Sequence, residues 1–166
     1  KWRHPNLVTL LGWGKHQNMR YLIYELLDGG DAFQRLSKSK QGKLAFAWWE
    51  RLQVLLNACQ GLSHMHNNKP KGFHRDIKSA NILLDRHGTA KMADFGLSCA
   101  GGSSVRVKTI SGTPGYACPI YTRTGCVTEG SEVYSFGMCM LEFLCTMAPA
   151  IADPRKPGAV RYPIAE

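Results

Sequence analysis

The run His74-Arg75-Asp76-Ile77-Lys78-Ser79-Ala80-Asn81, followed by Asp94-Phe95-Gly96, constrains this chain more than any other feature of its sequence. Between the two motifs lie the apolar strand Ile82-Leu83-Leu84 and a turn at Gly88. Asn81 stands five positions after Asp76, and Asp94 another thirteen on. Each motif alone says little, since an isolated Asp-Phe-Gly is usually a turn in which Gly96 supplies φ > 0 and Asp94 caps it. Found together, in order, with a strand between them, they are far more specific, because independent coincidences multiply.

The residue types suit transfer of a phosphoryl group. Such a reaction needs little covalent help from protein; it needs a group that orients the attacking hydroxyl and oxygen ligands for cations that neutralise phosphate charge. Asp76 fits the first role. Asn81 and Asp94 fit the second, because hard Mg2+ prefers carboxylate and amide oxygens. Lys78, between base and amide, is placed to meet the γ-phosphate of ATP as a point charge on a flexible stem.

With these motifs the chain resembles the protein kinase family, and the resemblance runs in family order from Lys1 to about Pro149. His4-Pro5-Asn6-Leu7-Val8-Thr9-Leu10-Leu11-Gly12 resembles the turn after the regulatory helix and the following strand, and Tyr21-Leu22-Ile23-Tyr24-Glu25-Leu26-Leu27 the next strand and the hinge. The resemblance implies that backbone at Glu25 and Leu27 meets adenine, that Tyr24 is the gatekeeper, that Asp31 reaches the ribose, and that Leu83 joins the ATP-binding set. It implies an α+β fold: the end of a smaller lobe and the hinge over residues 1–27, a mostly helical lobe over 28–149 and an irregular tail over 150–166 in which Pro154, Pro157 and Pro163 fall.

After Gly96 the chain runs through Gly101-Gly102-Ser103-Ser104 and Thr109-Ile110-Ser111 to Gly112-Thr113-Pro114-Gly115-Tyr116, a polar, Gly-rich stretch that reads as a mobile loop. In the family this is the activation loop. Hydroxyls matching Thr109 or Ser111 are often phosphorylated there; Arg75 would help to hold the phosphate, and Thr113 would contact Asp76 and Lys78. Lys78, two residues after Asp76, together with the wording Asp76-Ile77-Lys78-Ser79-Ala80-Asn81-Ile82-Leu83-Leu84-Asp85, resembles the tyrosine-kinase-like group, which includes plant receptor-like and interleukin-receptor-associated kinases and acts mainly on serine and threonine. The implied partners are ATP with Mg2+ and a protein substrate bearing Ser or Thr, in the cytoplasm.

Two positions depart from the family pattern. Cys118-Pro119-Ile120 stands where Ala-Pro-Glu is usual, which removes a structural acid, and Glu132 stands where the family has Asp, one methylene shorter. Such departures leave a second reading, a pseudokinase or scaffold lobe that binds partners without transferring phosphate; the intact Asp76, Lys78, Asn81 and Asp94 argue against it. The Gly-rich loop, the phosphate-binding lysine strand and the last helices of the family are not in this sequence, so the expectation is a domain cut at both ends, inactive as an isolated piece. An upstream membrane segment stays open on that view.

Periodicity predicts a helix from about Phe46 to Asn67, with Trp48, Leu52, Leu55, Leu56, Cys59, Leu62 and Met65 on its core face. His64 and His66 read as structural, because two residues apart on a helix they point to different sides. Lys+Arg 21 against Asp+Glu 12 gives +9, but the basic residues are scattered, with no basic helix and no aromatic-interleaved run, which speaks against nucleic acid as partner. Six cysteines without a Cys-x-x-Cys pair speak against disulfides and zinc, and Cys99 is a candidate reactive thiol. Neither a bilayer-length apolar stretch nor a signal sequence is present.

Overall fold

The computed structural model describes residues 2–156 and 158–162. Lys1, Pro157 and Pro163 lie outside them. The architecture is α+β, the class the sequence implies: strands come in short pairs around a helical body, not in one large sheet.

The chain opens with an antiparallel hairpin of β1 (Leu10–His16) and β2 (Met19–Tyr24), whose Leu11, Trp13 and Leu22 are exposed. It is fastened below by backbone bonds from Val8 N–H to Met92 O and from Met92 N–H to Asn6 O, each 2.9 Å, and by Glu25 N–H to Thr9 O at 3.0 Å. Asp31 then starts α1 (Ala32–Lys40) by accepting the Gln34 N–H at 2.8 Å, an N-cap that satisfies one orphan donor of the first turn.

The long helix α2 (Trp48–Asn67) begins where Glu50 folds back to accept the Ala47 N–H at 2.7 Å. Its buried face is Val54, Leu55, Ala58, Gly61, Leu62 and Met65, which join Leu7, Ile77, Ile82, Leu84, Met92 and Phe143 in the main core. Each fully buried Leu, Ile or Met there contributes about 1.5 to 3 kcal/mol relative to exposure. Four of the predicted core positions, Trp48, Leu52, Leu56 and Cys59, are exposed instead. The apolar residues of α2 form two neighbouring stripes, and among the described residues only one meets the core.

After Lys71–Phe73 (β3), Ile82–Leu84 (β4) pairs with Ala90–Met92 (β5) across the Gly88 turn, where φ is +84°. The segment expected as a mobile loop is partly paired. Cys99–Gly101 (β6) ladders with β3, and Ser104–Arg106 (β7) with Cys126–Thr128 (β8), Val105 opposite Val127. β-Branched residues on both sides fill a second, small core with Phe73, Cys118 and Tyr121, and that packing outweighs the loop-forming glycines.

A short helix α3 (Pro119–Thr124) ends at Gly125, with φ +65°, and α4 (Glu129–Cys145) follows, capped reciprocally by Thr128 and Ser131. Arg51 of α2 crosses to donate to the Phe143 O and the Thr146 Oγ1 at 2.7 Å each, so it closes the C-terminal end of α4. The tail is not wholly irregular: Ile151–Ala152 (β9) pairs with Val160–Arg161 (β10). Among the described residues no helix is long and apolar enough to cross a membrane.

Candidate active site

The loop between β3 and β4 brings Asp76, Lys78 and Asn81 together. Asp76 Oδ1 accepts the Thr113 hydroxyl at 2.7 Å, its Oδ2 pairs with Lys78 Nζ at 2.8 Å, and Lys78 Nζ also donates to Thr113 Oγ1 at 2.9 Å. The amide nitrogen of Asn81 donates twice to Asp76, to its O at 2.8 Å and its Oδ2 at 3.0 Å. With its nitrogen spent in this way, the Asn81 carbonyl oxygen is the polar atom left to serve a ligand. Burial pushes the Asp76 carboxyl up, but the bonds from Lys78 and Thr113, the Lys78 charge and the Asn81 amide more than offset it and hold the group below the ordinary carboxylate range.

A left-handed backbone at Arg75, φ +73°, turns the chain so that Asp76 faces this cluster. His74 is fully buried and locks the turn from inside. Its Nε2 faces the Ala93 carbonyl at 2.9 Å and therefore carries the proton, and its Nδ1 accepts the Asp76 N–H at 3.3 Å. Burial lowers the His74 pKa despite the nearby Glu132 charge, so the ring stays neutral.

Asp94 sits one residue beyond Ala93, whose N–H donates to Asn81 O at 2.8 Å. Its backbone is left-handed, φ 60° and ψ 74°, its side chain caps Gly96 N–H at 3.2 Å, and the residue is exposed. Asn81 and Asp94 are thus backbone neighbours carrying one amide and one carboxylate oxygen set, a donor chemistry that fits a hard divalent cation.

Glu132 is buried at the first turn of α4 and reaches the main chain of the His74-Arg75 turn. Its Oε1 accepts the Arg75 N–H at 2.6 Å, and its Oε2 accepts the His74 N–H at 2.9 Å while pairing with His66 Nε2 at 2.9 Å. His66 is therefore structural, as its helix position implied. Ile120, the other departure, is 62% exposed on α3.

Of the four expected nucleotide residues, Asp31, Leu83 and Glu25 are linked through strand and ion-pair contacts. Asp31 bridges Leu83, Leu84 N–H donates to Gly30 O at 2.8 Å, and Gly29 N–H donates to Leu84 O at 2.8 Å. The approach at Gly29 is so close that a Cβ would lie 2.4 Å from Asp85 O, which only glycine permits. Glu25 ion-pairs with Lys91, the strand partner of Leu83, at 2.8 Å, and Leu27 lies between Glu25 and Gly29 on the connecting segment. The Asp31 carboxylate is engaged as the α1 cap, and Tyr24 ends β2 exposed.

Of the expected regulatory residues, Arg75 reaches Leu97 O at 2.9 Å, Thr109 O at 2.8 Å and the Tyr121 hydroxyl at 3.0 Å. That hydroxyl also donates to Ser111 O at 2.9 Å and accepts its N–H at 3.1 Å, so Thr109 and Ser111 are both gathered round Arg75. Cys99 lies opposite Phe73, and burial pushes its thiol up more than Arg75 pulls it down, which argues against a reactive thiolate.

The sequence reading missed one buried polar cluster. The Tyr116 hydroxyl donates to Glu142 Oε2 at 2.6 Å and lies 3.3 Å from Ser79 Oγ, which ties the residue after Lys78 to α4. Glu142, 2% exposed, is the one acid in the apolar run Met138-Cys139-Met140-Leu141-Glu142-Phe143-Leu144, and that isolation was the available signal.

Comparison with known proteins agrees in kind. The family model for the protein kinase domain matches residues 1–159. A probable LRR receptor-like serine/threonine-protein kinase of Arabidopsis thaliana is 42% identical over 92% of this chain and 18% of its own length. A probable leucine-rich repeat receptor-like protein kinase of the same plant is 43% identical over 96% of this chain and 18% of its own. The probable serine/threonine-protein kinase PBL8 is 43% identical over 86% of this chain and 35% of its own. The chain thus spans about a fifth to a third of the length of these relatives.

Proposed function

The chain belongs to the protein kinase family, within its receptor-like group, and from that premise we propose that it carries the catalytic centre of a serine/threonine kinase that transfers the γ-phosphoryl group of ATP to a protein hydroxyl. The observation that carries the reading is the joint contact of Asp76 with a hydroxyl, Thr113, and an ammonium, Lys78, at 2.7 and 2.8 Å. The Thr113 hydroxyl occupies the kind of position an acceptor hydroxyl would take.

In this reading Asp76 orients the acceptor hydroxyl and takes its proton as the bond to phosphorus forms. Its lowered pKa keeps it ionised at neutral pH, ready to accept. Lys78 neutralises charge on the transferred group. Asn81 and Asp94 would hold Mg2+, which when bound draws charge from the phosphate oxygens. Backbone at Glu25 and Leu27, with Asp31 and Leu83, would receive the nucleoside; Asp31 would have to share its carboxylate between helix cap and ribose. A phosphate on Thr109 or Ser111 would place close to two negative charges beside Arg75 and order the segment that holds Thr113. The cytoplasm is the proposed compartment, in keeping with unpaired cysteines.

The partner-binding alternative rested on Ile120 and Glu132. Glu132 makes both backbone bonds the position requires, so Ile120 alone favours it. The deciding experiment is transfer from labelled ATP by the full-length protein, with Asp76→Asn and Asp94→Asn variants and Mg2+ titrated. Loss of about 10²- to 10⁴-fold in kcat for Asp76→Asn is expected, with a raised Mg2+ requirement for Asp94→Asn; transfer that survives both substitutions overturns the proposal.

A further inference from the structure

Cations spread along α1 and its connection to α2 are gathered by the fold. Residues 32–49 hold no Asp or Glu, while Lys38, Lys40 and Lys43 fall there and are exposed. Arg86, on the β4–β5 turn, is exposed as well. The acids that border these residues are engaged. Asp31 caps α1, Glu50 accepts the Ala47 N–H at 2.7 Å and pairs with Arg35 at 3.4 Å, and Asp85 accepts the His87 and Thr89 N–H groups at 2.8 and 2.9 Å.

The connection is folded tightly. Lys43 N–H donates to Lys38 O at 2.9 Å and Gly42 N–H to Ser39 O at 3.0 Å. The buried Phe46 ring meets two guanidinium groups, Arg35 at 5.0 Å and Arg51 at 5.5 Å, and Arg51 Nε donates to Phe46 O at 2.9 Å. Phe46 thus pins the connection, while Leu44 before it and Trp48 and Trp49 after it stay 42%, 72% and 62% exposed. Trp49 lines a cavity of about 120 Å³ with Arg35 and His87, so the indole, α1 and the β4–β5 turn share one surface. Ligand pockets run from roughly 300 to 1,000 Å³. This surface carries exposed side chains and no groove of that size.

We infer that this surface docks on an anionic membrane: Lys38, Lys40 and Lys43 meet the headgroups, and Leu44 and Trp49 enter the boundary between headgroups and acyl chains. Tryptophan suits that depth, because an apolar ring there carries one N–H donor. Lysine is a hydrated point charge on a flexible stem, which suits diffuse attraction to a charged surface, whereas recognition of a discrete phosphate favours the planar fork of arginine. An acidic protein partner is held by large anchors seated in pockets, and the cavity beside Trp49 is too small to seat one. Docking of this kind needs no phosphoryl transfer, so it stands or falls apart from the kinase reading.

The test is co-sedimentation and amide hydrogen exchange of the full-length protein, without ATP, on vesicles of phosphatidylcholine alone or with about one third phosphatidylserine. The mixed vesicles are expected to bind about tenfold or more tighter, and salt at about 1 M removes the difference. Amides of residues 38–49 gain protection on the mixed vesicles, which localises the contact within the full chain. Lys38→Glu, Lys40→Glu and Lys43→Glu together abolish the preference for phosphatidylserine. Lys15→Glu, Arg20→Glu and Lys108→Glu, the same change in net charge at exposed positions elsewhere, leave it within about threefold. Trp49→Ser weakens binding about tenfold while the lipid preference stays. No preference for the mixed vesicles, no protection of residues 38–49, equal loss in both charge-reversed sets, or a Trp49→Ser variant that binds like the parent overturns the proposal. Duplex DNA or polyglutamate that protects the same residues as strongly assigns the surface to a soluble polyanion and overturns it too.

Discussion

The carboxylate of Glu132 accepts the main-chain N–H of Arg75 at 2.6 Å, and so the first turn of α4 holds the one residue whose left-handed backbone aims Asp76 at its partners. Glu132→Ala would leave the buried His74 N–H, the half-buried Arg75 N–H and His66 without their acceptor. Loss of one side of such a buried network costs about 3 to 5 kcal/mol. The midpoint of denaturant unfolding should fall accordingly at unchanged slope. Glu132→Asp, which retracts the carboxylate by one methylene, should cost a smaller share, about 1 to 3 kcal/mol; an Asp variant as stable as the parent would show that α4 adjusts freely.

Thr113→Val removes a hydrogen bond that holds the Asp76 carboxyl down. The folded pKa of Asp76 should then rise, and with it the acid limb of the kcat/KM profile measured on the full-length protein. Stability should change by about 1 kcal/mol. A variant whose acid limb stays in place would show that Thr113 does not act through Asp76.

Burial, above all, raises the Glu142 carboxyl above 4.5, and the bonds from Tyr116 and Ser79 offset only part of that. The folded chain therefore holds this proton more tightly than the unfolded chain. The sign follows: the contribution is most favourable below the ordinary carboxylate range and is lost as pH rises through the raised folded pKa. Gln does not titrate. The stability difference between the parent and Glu142→Gln should fall with rising pH from about 4 upward, as read by thermal unfolding across pH; a difference independent of pH would contradict it.

Gly29→Ala would set a Cβ 2.4 Å from Asp85 O and 2.6 Å from Leu84 O, both rigid backbone. A cost of about 1 to 3 kcal/mol is expected in denaturant. Gly14→Ala, with nothing within 4 Å, is the control and should stay within about 0.5 kcal/mol.

The grouping of Asp76, Lys78 and Asn81 was legible in the sequence because His74 to Asn81 is a local pattern, and local spacing survives folding. Asp76, Lys78 and Thr113 meet as the motifs implied. What sequence hid was decided by distance across the fold. The length of Glu132 read as a departure, and only the position of α4 shows its carboxylate on the His74 and Arg75 N–H groups. Trp48, Leu52, Leu56 and Cys59 satisfied helical periodicity, yet periodicity names a stripe without saying whether anything packs on it. Asp31 carried a visible helix-cap signature, three residues before Gln34, and the nucleotide expectation overshadowed it. Val105 and Val127 are 22 residues apart, so glycines between them were readable and their pairing was not.

The backbone ties at the base of the β1–β2 hairpin join it to the helical body through main-chain groups. On one side Asn6 and Val8 are bonded to Met92, and on the other Gly29 and Gly30 are bonded to Leu84. What remains between them is the rung from Glu25 to Thr9, steadied by the Glu25 pair with Lys91. The seating of the hairpin is therefore written in the main chain: no ordinary side-chain substitution deletes these bonds, whereas proline at Val8, Glu25, Gly29, Leu84 or Met92 would each remove a donor.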